Sequence, residues 1–295
     1  MSSLKRFCVK GFAARRGLML ALLALAVLAG TAVALPALAQ QIGEPHNWQF
    51  GMQEPATPVK DRIHSFHNLL LVIITLISLF VLGLLVYVIW RFNEKRNPVP
   101  SRTSHNTLIE VLWTVVPVLI LVIIAIPSFK LMYYMDRTQS AEMTIKVTGH
   151  QWYWSYEYPD QGGFTFDSNM IAEDQIKPGQ RRLLEVDNRL VVPTGTNIRV
   201  LIAGTDVMHS WFIPSFGVQM YAFPGRLNET WFNVEREGVY YGQCNQICGI
   251  NHAFMPIAVE AVSKEKFQQW VGDAKKKFAK ADGTSVDVAA VVPAR

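Results

Sequence analysis

The chain has 295 residues, half of them hydrophobic, enough for one or two domains with sizeable cores. Its formal charge of +5 comes from the start: residues 1–39 hold Lys5, Arg6, Lys10, Arg15 and Arg16 and no acid, and beyond them 23 basic residues meet 23 acidic ones. A chain that is neutral past its leader excludes a nucleic-acid partner, which requires a basic face rather than a basic terminus.

Residues 1–39 read as a secretory signal peptide. A basic region comes first, then LMLALLALAVLAG from Leu18, then Ala-Leu-Ala ending at Ala39. An uncleaved membrane anchor is the alternative, and Arg15-Arg16 is a twin-arginine pair whose neighbours do not support that export route. Cleavage near Gln40 removes Cys8 and leaves Cys244 and Cys248 alone in an oxidising compartment. Residues 40–67 then form an exported N-terminal segment.

Two apolar runs follow. Transmembrane helix 1, at 68–90, spans about 34 Å as a helix, against about 30 Å for a bilayer core. Transmembrane helix 2, at 108–129, is interrupted only by Glu110, Pro117 and Pro127. Pro117 predicts a kink, which neighbouring helices in a membrane can accommodate. Between them, residues 91–107 carry Arg91, Lys95, Arg96 and Arg102 against Glu94 alone, so this loop is cytoplasmic by the positive-inside rule. Both flanking parts then lie outside, in agreement with the export signal.

From residue 142 to 262 the composition shifts to β-branched and aromatic residues. The shift shows in MTIKVTGHQWYWSYEYPD and ETWFNVEREGVYYGQC, and Pro159-Asp160, Pro193-Thr194-Gly195 and Pro224-Gly225 punctuate the segment as turns. This spacing predicts a sandwich or small barrel. Residues 263–281 read as an amphipathic helix with Ser263 as N-cap, and 282–295 as a flexible tail.

The densest chemistry lies in YYGQCNQICGINHAFM, where Cys244, Cys248, His252 and Met255 fall within twelve residues. Three readings are open. A disulfide suits an exported domain but has no use for the other two donors. Zinc favours thiolate, imidazole and carboxylate over thioether. Copper accepts thiolate, imidazole and a weak thioether together. A mononuclear blue-copper site uses one cysteine, whereas two thiolates on one loop can bridge two copper ions and share one electron between them. A second histidine is then required, and His209 in TDVMHSWFIP is the best candidate.

C-x3-C-x3-H-x2-M, the upstream D-x-x-H-S-W, and HQWYWSYEY after a two-helix hairpin together resemble subunit 2 of cytochrome c oxidase, from about residue 42 to 271. The resemblance implies a membrane protein with an N-terminal two-helix transmembrane hairpin and an all-β cupredoxin-like Greek-key barrel. That barrel, residues 142–262, would be a periplasmic domain carrying the dinuclear CuA centre. Cys244 and Cys248 would bridge the metals, His209 and Met255 would complete one copper, and His252 with the backbone carbonyl of Gln246 the other. The signal peptide and the lack of Cys-x-x-Cys-His imply a bacterial inner-membrane form served by a separate cytochrome c. Subunits 1 and 3 and membrane lipid would be its other partners. Where the family commonly has glutamate, this chain has Gln246. Magnesium at the subunit 1 interface, a hard cation favouring charged oxygen, would be bound more weakly or differently.

The resemblance also assigns roles in transfer. The alternation in HQWYWSYEY places Trp152, Trp154, Tyr156 and Tyr158 on one strand face. Most of that stripe reads as core, and Trp152 as exposed above the copper, where electrons arrive. Residues 142–262 hold 13 acidic and 8 basic side chains, a balance that would draw a basic carrier. Glu157, Asp167, Asp187 and Asp206 match docking positions, although each alone also suits a solvated surface. Glu110 fits both a helix N-terminal carboxylate and the mouth of a proton channel into subunit 1. Asp206 and Trp211 are candidates for tuning the metal from behind its ligands. Three alternatives remain: a quinol-oxidase subunit would lack the copper donors, a nitrous-oxide-reductase domain would lack the hairpin, and a copper chaperone would need neither Glu110 nor an acidic face.

Overall fold

The computed structural model describes residues 43–136, 138 and 140–278. The signal peptide, residues 40–42 of the exported segment, the last residues expected of the C-terminal helix and the tail lie outside the described residues. Among the described residues, two helices are long and apolar enough to cross a membrane: α1 (Pro58–Arg91) and α2 (Thr107–Asp136). α1 begins well ahead of its apolar run because its start is capped. Thr57 Oγ1 accepts the Lys60 N–H at 3.1 Å, and Pro58 occupies the first turn, where no amide partner is needed. α2 remains one helix through Pro117 and Pro127 and continues past residue 129. At its start Asn106 Oδ1 accepts the Ile109 N–H at 3.2 Å, and Glu110 Oε1 accepts the Asn106 N–H at 3.3 Å. That reciprocal cap satisfies two amides that the helix cannot. Large apolar side chains lie exposed along both helices, among them Phe80, Leu85, Trp113 and Leu121, and such surfaces require lipid or protein around them.

Ten strands follow: β1 (Met143–His150), β2 (Tyr153–Tyr158), β3 (Phe164–Ser168), β4 (Leu190–Pro193), β5 (Ile198–Gly204), β6 (His209–Ile213), β7 (Val218–Ala222), β8 (Asn228–Phe232), β9 (Gly238–Cys244) and β10 (Pro256–Val262). They form two five-stranded sheets, in the orders β3-β2-β1-β5-β8 and β4-β10-β9-β6-β7. β1 pairs parallel to β5 and β10 parallel to β4, while the other pairs are antiparallel. Parallel neighbours cannot be joined by a hairpin, so the chain crosses between the sheets in the cupredoxin-like, Greek-key manner. Burial alternates along β1, β2 and β5, as it must where one face of a strand meets a core. Ile145, Trp154, Tyr156, Ile202, Trp211 and Tyr240 are fully buried in one cluster drawing on both sheets. Each large apolar side chain so buried contributes about 1.5–3 kcal/mol.

α3 (Lys264–Lys277) is capped by Ser263, whose hydroxyl accepts the Lys266 N–H at 3.3 Å. It buries Phe267, Val271 and Ala274 at the four-and-three spacing of one helix face. The segment 43–57 lies against the barrel as a strap. Gly43 O accepts the Tyr241 N–H at 2.8 Å, the Ala56 N–H donates to Ser215 O at 2.9 Å, and the Thr57 hydroxyl donates to Phe216 O at 2.6 Å. Behind the strap Glu185, 1% exposed, receives a two-pronged bond from Arg189 at 2.7 and 2.8 Å and the Tyr241 hydroxyl at 2.9 Å. Burial alone would raise the Glu185 pKa, but these donors outweigh it and hold the carboxyl below its ordinary value.

Candidate metal centre

β9 ends at Cys244, and β10 begins immediately after Met255, so the strand pair holds both ends of the loop that carries the soft donors. β6 lies beside β9 in the register Trp211↔Cys244, which brings His209 from another part of the sequence to the same end of the sheet. The ligand atoms of His209, Cys244 and Cys248 lie within 4.8 Å of one another. Cys248 Sγ is 3.9 Å from Cys244 Sγ, 3.5 Å from Met255 Sδ and 3.5 Å from His252 Nδ1. Gln246 O lies 3.2 Å from Cys244 Sγ. All six sequence-predicted donor positions thus meet around one point. Cys244, Cys248, His209 and Met255 are buried, and His252 and Gln246 are half-buried. Both cysteines are free, so the disulfide alternative is not the arrangement the fold presents.

Electrostatics prepare the donors. Asp206 Oδ1 accepts the His209 Nε2–H at 2.8 Å, which leaves Nδ1 as the lone-pair nitrogen. That Nδ1 is buried without an ordinary hydrogen-bond partner and has the Cys244 thiol as its neighbour. Burial opposes ionisation of Cys244, yet His209 and the backbone at Ser210 and Gln246 hold its pKa below the usual thiol value. Burial lowers the imidazole in turn, while Cys244 and Asp206 outweigh it and raise His209. The Cys248 thiol is pushed up to about 12, by burial and by the neighbouring Cys244. Two thiols, an imidazole and a thioether at these distances form a donor set that binds a soft metal with release of protons. An orphaned Nδ1, two sulfurs and a thioether fit copper.

The β1–β2 turn covers this loop. Gln151 Nε2 and Trp152 Nε1 both donate to Cys248 O, at 2.8 and 3.2 Å, and the Gln151 N–H donates to Asp206 Oδ2 at 2.7 Å. The expectation of a four-residue aromatic face needs correction. Trp154, Tyr156 and Tyr158 are core residues of β2, but the strand starts at Tyr153 and Trp152 belongs to the turn, where strand alternation does not apply. Trp152 is half-buried rather than exposed, packed on the core with its indole N–H on the cysteine loop.

Sequence reasoning missed Gln151, Gly149 and Gly249. A Cβ on Gly149 would come within 3.0 Å of the His209 ring, and one on Gly249 (φ +124°) within 2.9 Å of Trp152. For Gly249 the signal was local: a glycine directly after the predicted ligand Cys248 marks close approach of backbone to a site. Trp211 is fully buried and stacks on Phe232 with ring centres 6.1 Å apart.

Each of the four acidic positions is engaged by a neighbouring group. Glu157 pairs with Lys146 at 3.4 Å, and Asp167 accepts the Ser155 hydroxyl at 2.6 Å. Asp187 accepts the Asn169 backbone and side-chain N–H groups at 2.8 and 3.3 Å. Asp206 is engaged by Gln151, Val207 and His209.

Comparison with known families agrees with this architecture. Residues 143–262 match the cytochrome C oxidase subunit II periplasmic domain, and residues 45–131 match its transmembrane domain. A probable cytochrome c oxidase subunit 2 of Rickettsia bellii is 53% identical over 243 residues, covering 82% of this chain and 90% of that protein. Cytochrome c oxidase subunit 2 of Zea mays is 52% identical over 232 residues, covering 77% and 89%. The crystal structure of the periplasmic domain of subunit II of cytochrome oxidase of Bradyrhizobium japonicum is 55% identical, covering 48% of this chain and 100% of that one, with a TM-score of 0.46. The two apolar helices and the β-domain match the membrane and periplasmic parts of one family, in one order, in a multi-pass inner-membrane protein with a periplasmic C-terminal domain. The chain therefore belongs to the cytochrome c oxidase subunit II family.

Proposed function

We propose that this chain accepts electrons from cytochrome c at a dinuclear copper centre and passes them to the haem of subunit 1. There oxygen is reduced to water with proton pumping. The convergence of His209, Cys244, Cys248, His252 and Met255 on one largely buried point carries the reading. Cys244 and Cys248 would bridge the two ions, His209 and Met255 would complete one, and His252 with the Gln246 carbonyl the other. When bound, copper supplies one-electron chemistry with the charge shared over two metals. The protein does the rest. Burial keeps water from the sulfurs, and the β9–β10 ladder fixes both ends of the loop. Asp206 fixes the ring orientation of His209.

Trp152 is the proposed point of electron arrival, because its indole sits on the carbonyl of a bridging cysteine. Glu157, Asp167, Asp187 and Asp206 would add to the negative field that draws a basic carrier to this face. Glu110, at the start of α2, is half-buried and caps its own helix, and it is proposed to open the proton path into subunit 1. Subunit 3 and lipid would complete the surroundings of the helices. A neutral Gln246 would leave magnesium at the subunit 1 interface weakly held, since that ion prefers charged oxygen.

The test is metal analysis and near-infrared absorption of the purified full chain, with and without His209→Ala. Two coppers per chain and an absorption lost with His209 are expected. A reduced protein that binds no copper overturns the proposal.

A further inference from the structure

His150 lies outside the metal donor set, yet both its ring nitrogens are engaged. Nε2 is 3.0 Å from Ser155 Oγ, and Nδ1 is 2.9 Å from Thr205 Oγ1. Ser155 in turn donates its hydroxyl to Asp167 Oδ1 at 2.6 Å. Donor accounting places a hydrogen on Nε2. The single hydrogen of Ser155 goes to the carboxylate, so Ser155 Oγ can only accept from His150, and Nε2 carries the N–H. The Thr205 hydroxyl lies 2.9 Å from Nδ1 and 3.3 Å from Gly149 O, so it ties the imidazole and the end of β1 to the same loop. The Tyr153 ring stacks on the imidazole at 4.4 Å with the planes 5° apart, which holds its orientation.

The place of this chain of bonds gives it a consequence. His150 is the last residue of β1, and Gln151 and Trp152 are the whole turn before β2. Ser155 and Asp167 face each other in the β2–β3 register on the outer side of the sheet. Thr205 and Asp206 belong to the loop that leads to His209. That loop grips the turn a second time, since the Thr205 N–H donates to Gly149 O at 3.1 Å and Asp206 Oδ2 accepts the Gln151 N–H at 2.7 Å. His150 is the side chain that joins the sheet's outer face to this loop on the near side of the turn.

We propose that His150 is a positioning residue for electron transfer. Bonded to Ser155 and Asp167 on one side and to Thr205 on the other, it sets the β1–β2 turn so that the Trp152 indole rests on Cys248 O. The inference rests on the reading of Trp152 as the point where electrons arrive. His150 touches neither metal donor nor carrier in this role and acts only through the geometry of the turn. His150 is not one of the acidic side chains proposed to attract the carrier, so removing it leaves those carboxylates in place.

The experiment uses the intact oxidase complex with cytochrome c in rapid mixing. It compares His150→Leu, which loses both links, with His150→Asn, which keeps an atom near Nδ1, and His150→Gln, which keeps one near Nε2. Trp152→Ala is the control. His150→Leu should slow transfer about tenfold, as a displaced reacting group does. Its KM for cytochrome c should stay within about twofold and its near-infrared copper absorption should be unchanged, because binding charge and metal donors are untouched. Asn and Gln should each recover part of the rate. Parental transfer in His150→Leu beside slow transfer in Trp152→Ala overturns the inference and spares the Trp152 reading. Parental transfer in Trp152→Ala overturns both. Loss of the copper absorption in His150→Leu overturns it too, since the residue would then be supporting the metal loop itself.

Discussion

Asp206 and His209 are joined at 2.8 Å, and the same carboxylate takes the Gln151 N–H at 2.7 Å on its other oxygen. One side chain therefore orients an imidazole facing the sulfurs and anchors the turn that covers them. Asp206→Asn keeps the shape but can present an N–H where His209 needs an acceptor. Copper affinity should fall about 10–100-fold, read by competition with a chelator of known affinity. Unchanged affinity would show that ring orientation is set by packing alone.

Gly249 has φ +124°, and a Cβ there would meet Trp152 at 2.9 Å and Gln151 Nε2 at 3.1 Å. Gly249→Ala should cost about 1–3 kcal/mol of stability through the backbone conformation and push the indole off the cysteine loop. Thermal unfolding together with the rate of electron transfer from cytochrome c checks both halves. A variant that is less stable but transfers normally would confine the effect to the backbone.

Glu185 supplies the pH dependence. Its folded pKa lies below the ordinary carboxylate value, so the folded state binds a proton less readily than the unfolded chain. The stabilisation is complete above the unfolded pKa of about 4.3 and is lost as pH falls through the folded pKa. Glu185→Gln should lose about 1.5–3 kcal/mol at neutral pH, the worth of a hydrogen bond to a charged group. It should also show a shallower loss of stability on acidification. Denaturant unfolding at neutral pH and near pH 4 measures the difference, and parallel acid limbs in the two proteins would place the titration elsewhere.

The periplasmic segment 142–262 has 13 acidic and 8 basic residues. Turnover with a basic cytochrome c should weaken steeply between low salt and about 0.15 M ionic strength, where the Debye length is about 8 Å. Initial rates across a salt series test this, and a flat response would remove electrostatic attraction from the encounter.

Gln246 gives the last prediction. Gln246→Glu introduces a charged oxygen at a half-buried position between the two cysteines. Magnesium retained by the purified complex after chelator washing should rise, while copper content stays constant because only the main chain at 246 is proposed to meet that metal. Equal magnesium in both proteins would show that the side chain does not reach it.

The loop's candidate donors were legible because Cys244, Cys248, His252 and Met255 stand within twelve residues, and His209 was picked out from a separate segment. The hairpin was legible from two long apolar runs on either side of a basic loop. Less was visible where polar residues prolong a helix. α1 reaches back to Pro58 because Thr57 caps it, and α2 runs on to Asp136, and hydropathy reports neither. Trp152 was misplaced because alternation cannot see where a turn ends and a strand begins. The bonds from Gln151 to Asp206 and from His150 to Thr205 join residues 55 apart in the chain, and Arg189 finds Glu260 across 71. Such partners are chosen by sheet order, which no local pattern encodes.

The strap at 43–57 has a mechanical meaning. It is fastened to the barrel at Gly43 and again at Ala56 and Thr57, and α1 rises from its second fastening without a joint. About ten residues of rigid helix, some 15 Å at 1.5 Å per residue, separate that fastening from the apolar run. The barrel is thus mounted on a short stiff post rather than hung on a leash. Any tilt of the first membrane helix would turn the whole cysteine loop with it, and the height of that loop above the bilayer is built into the length of the post.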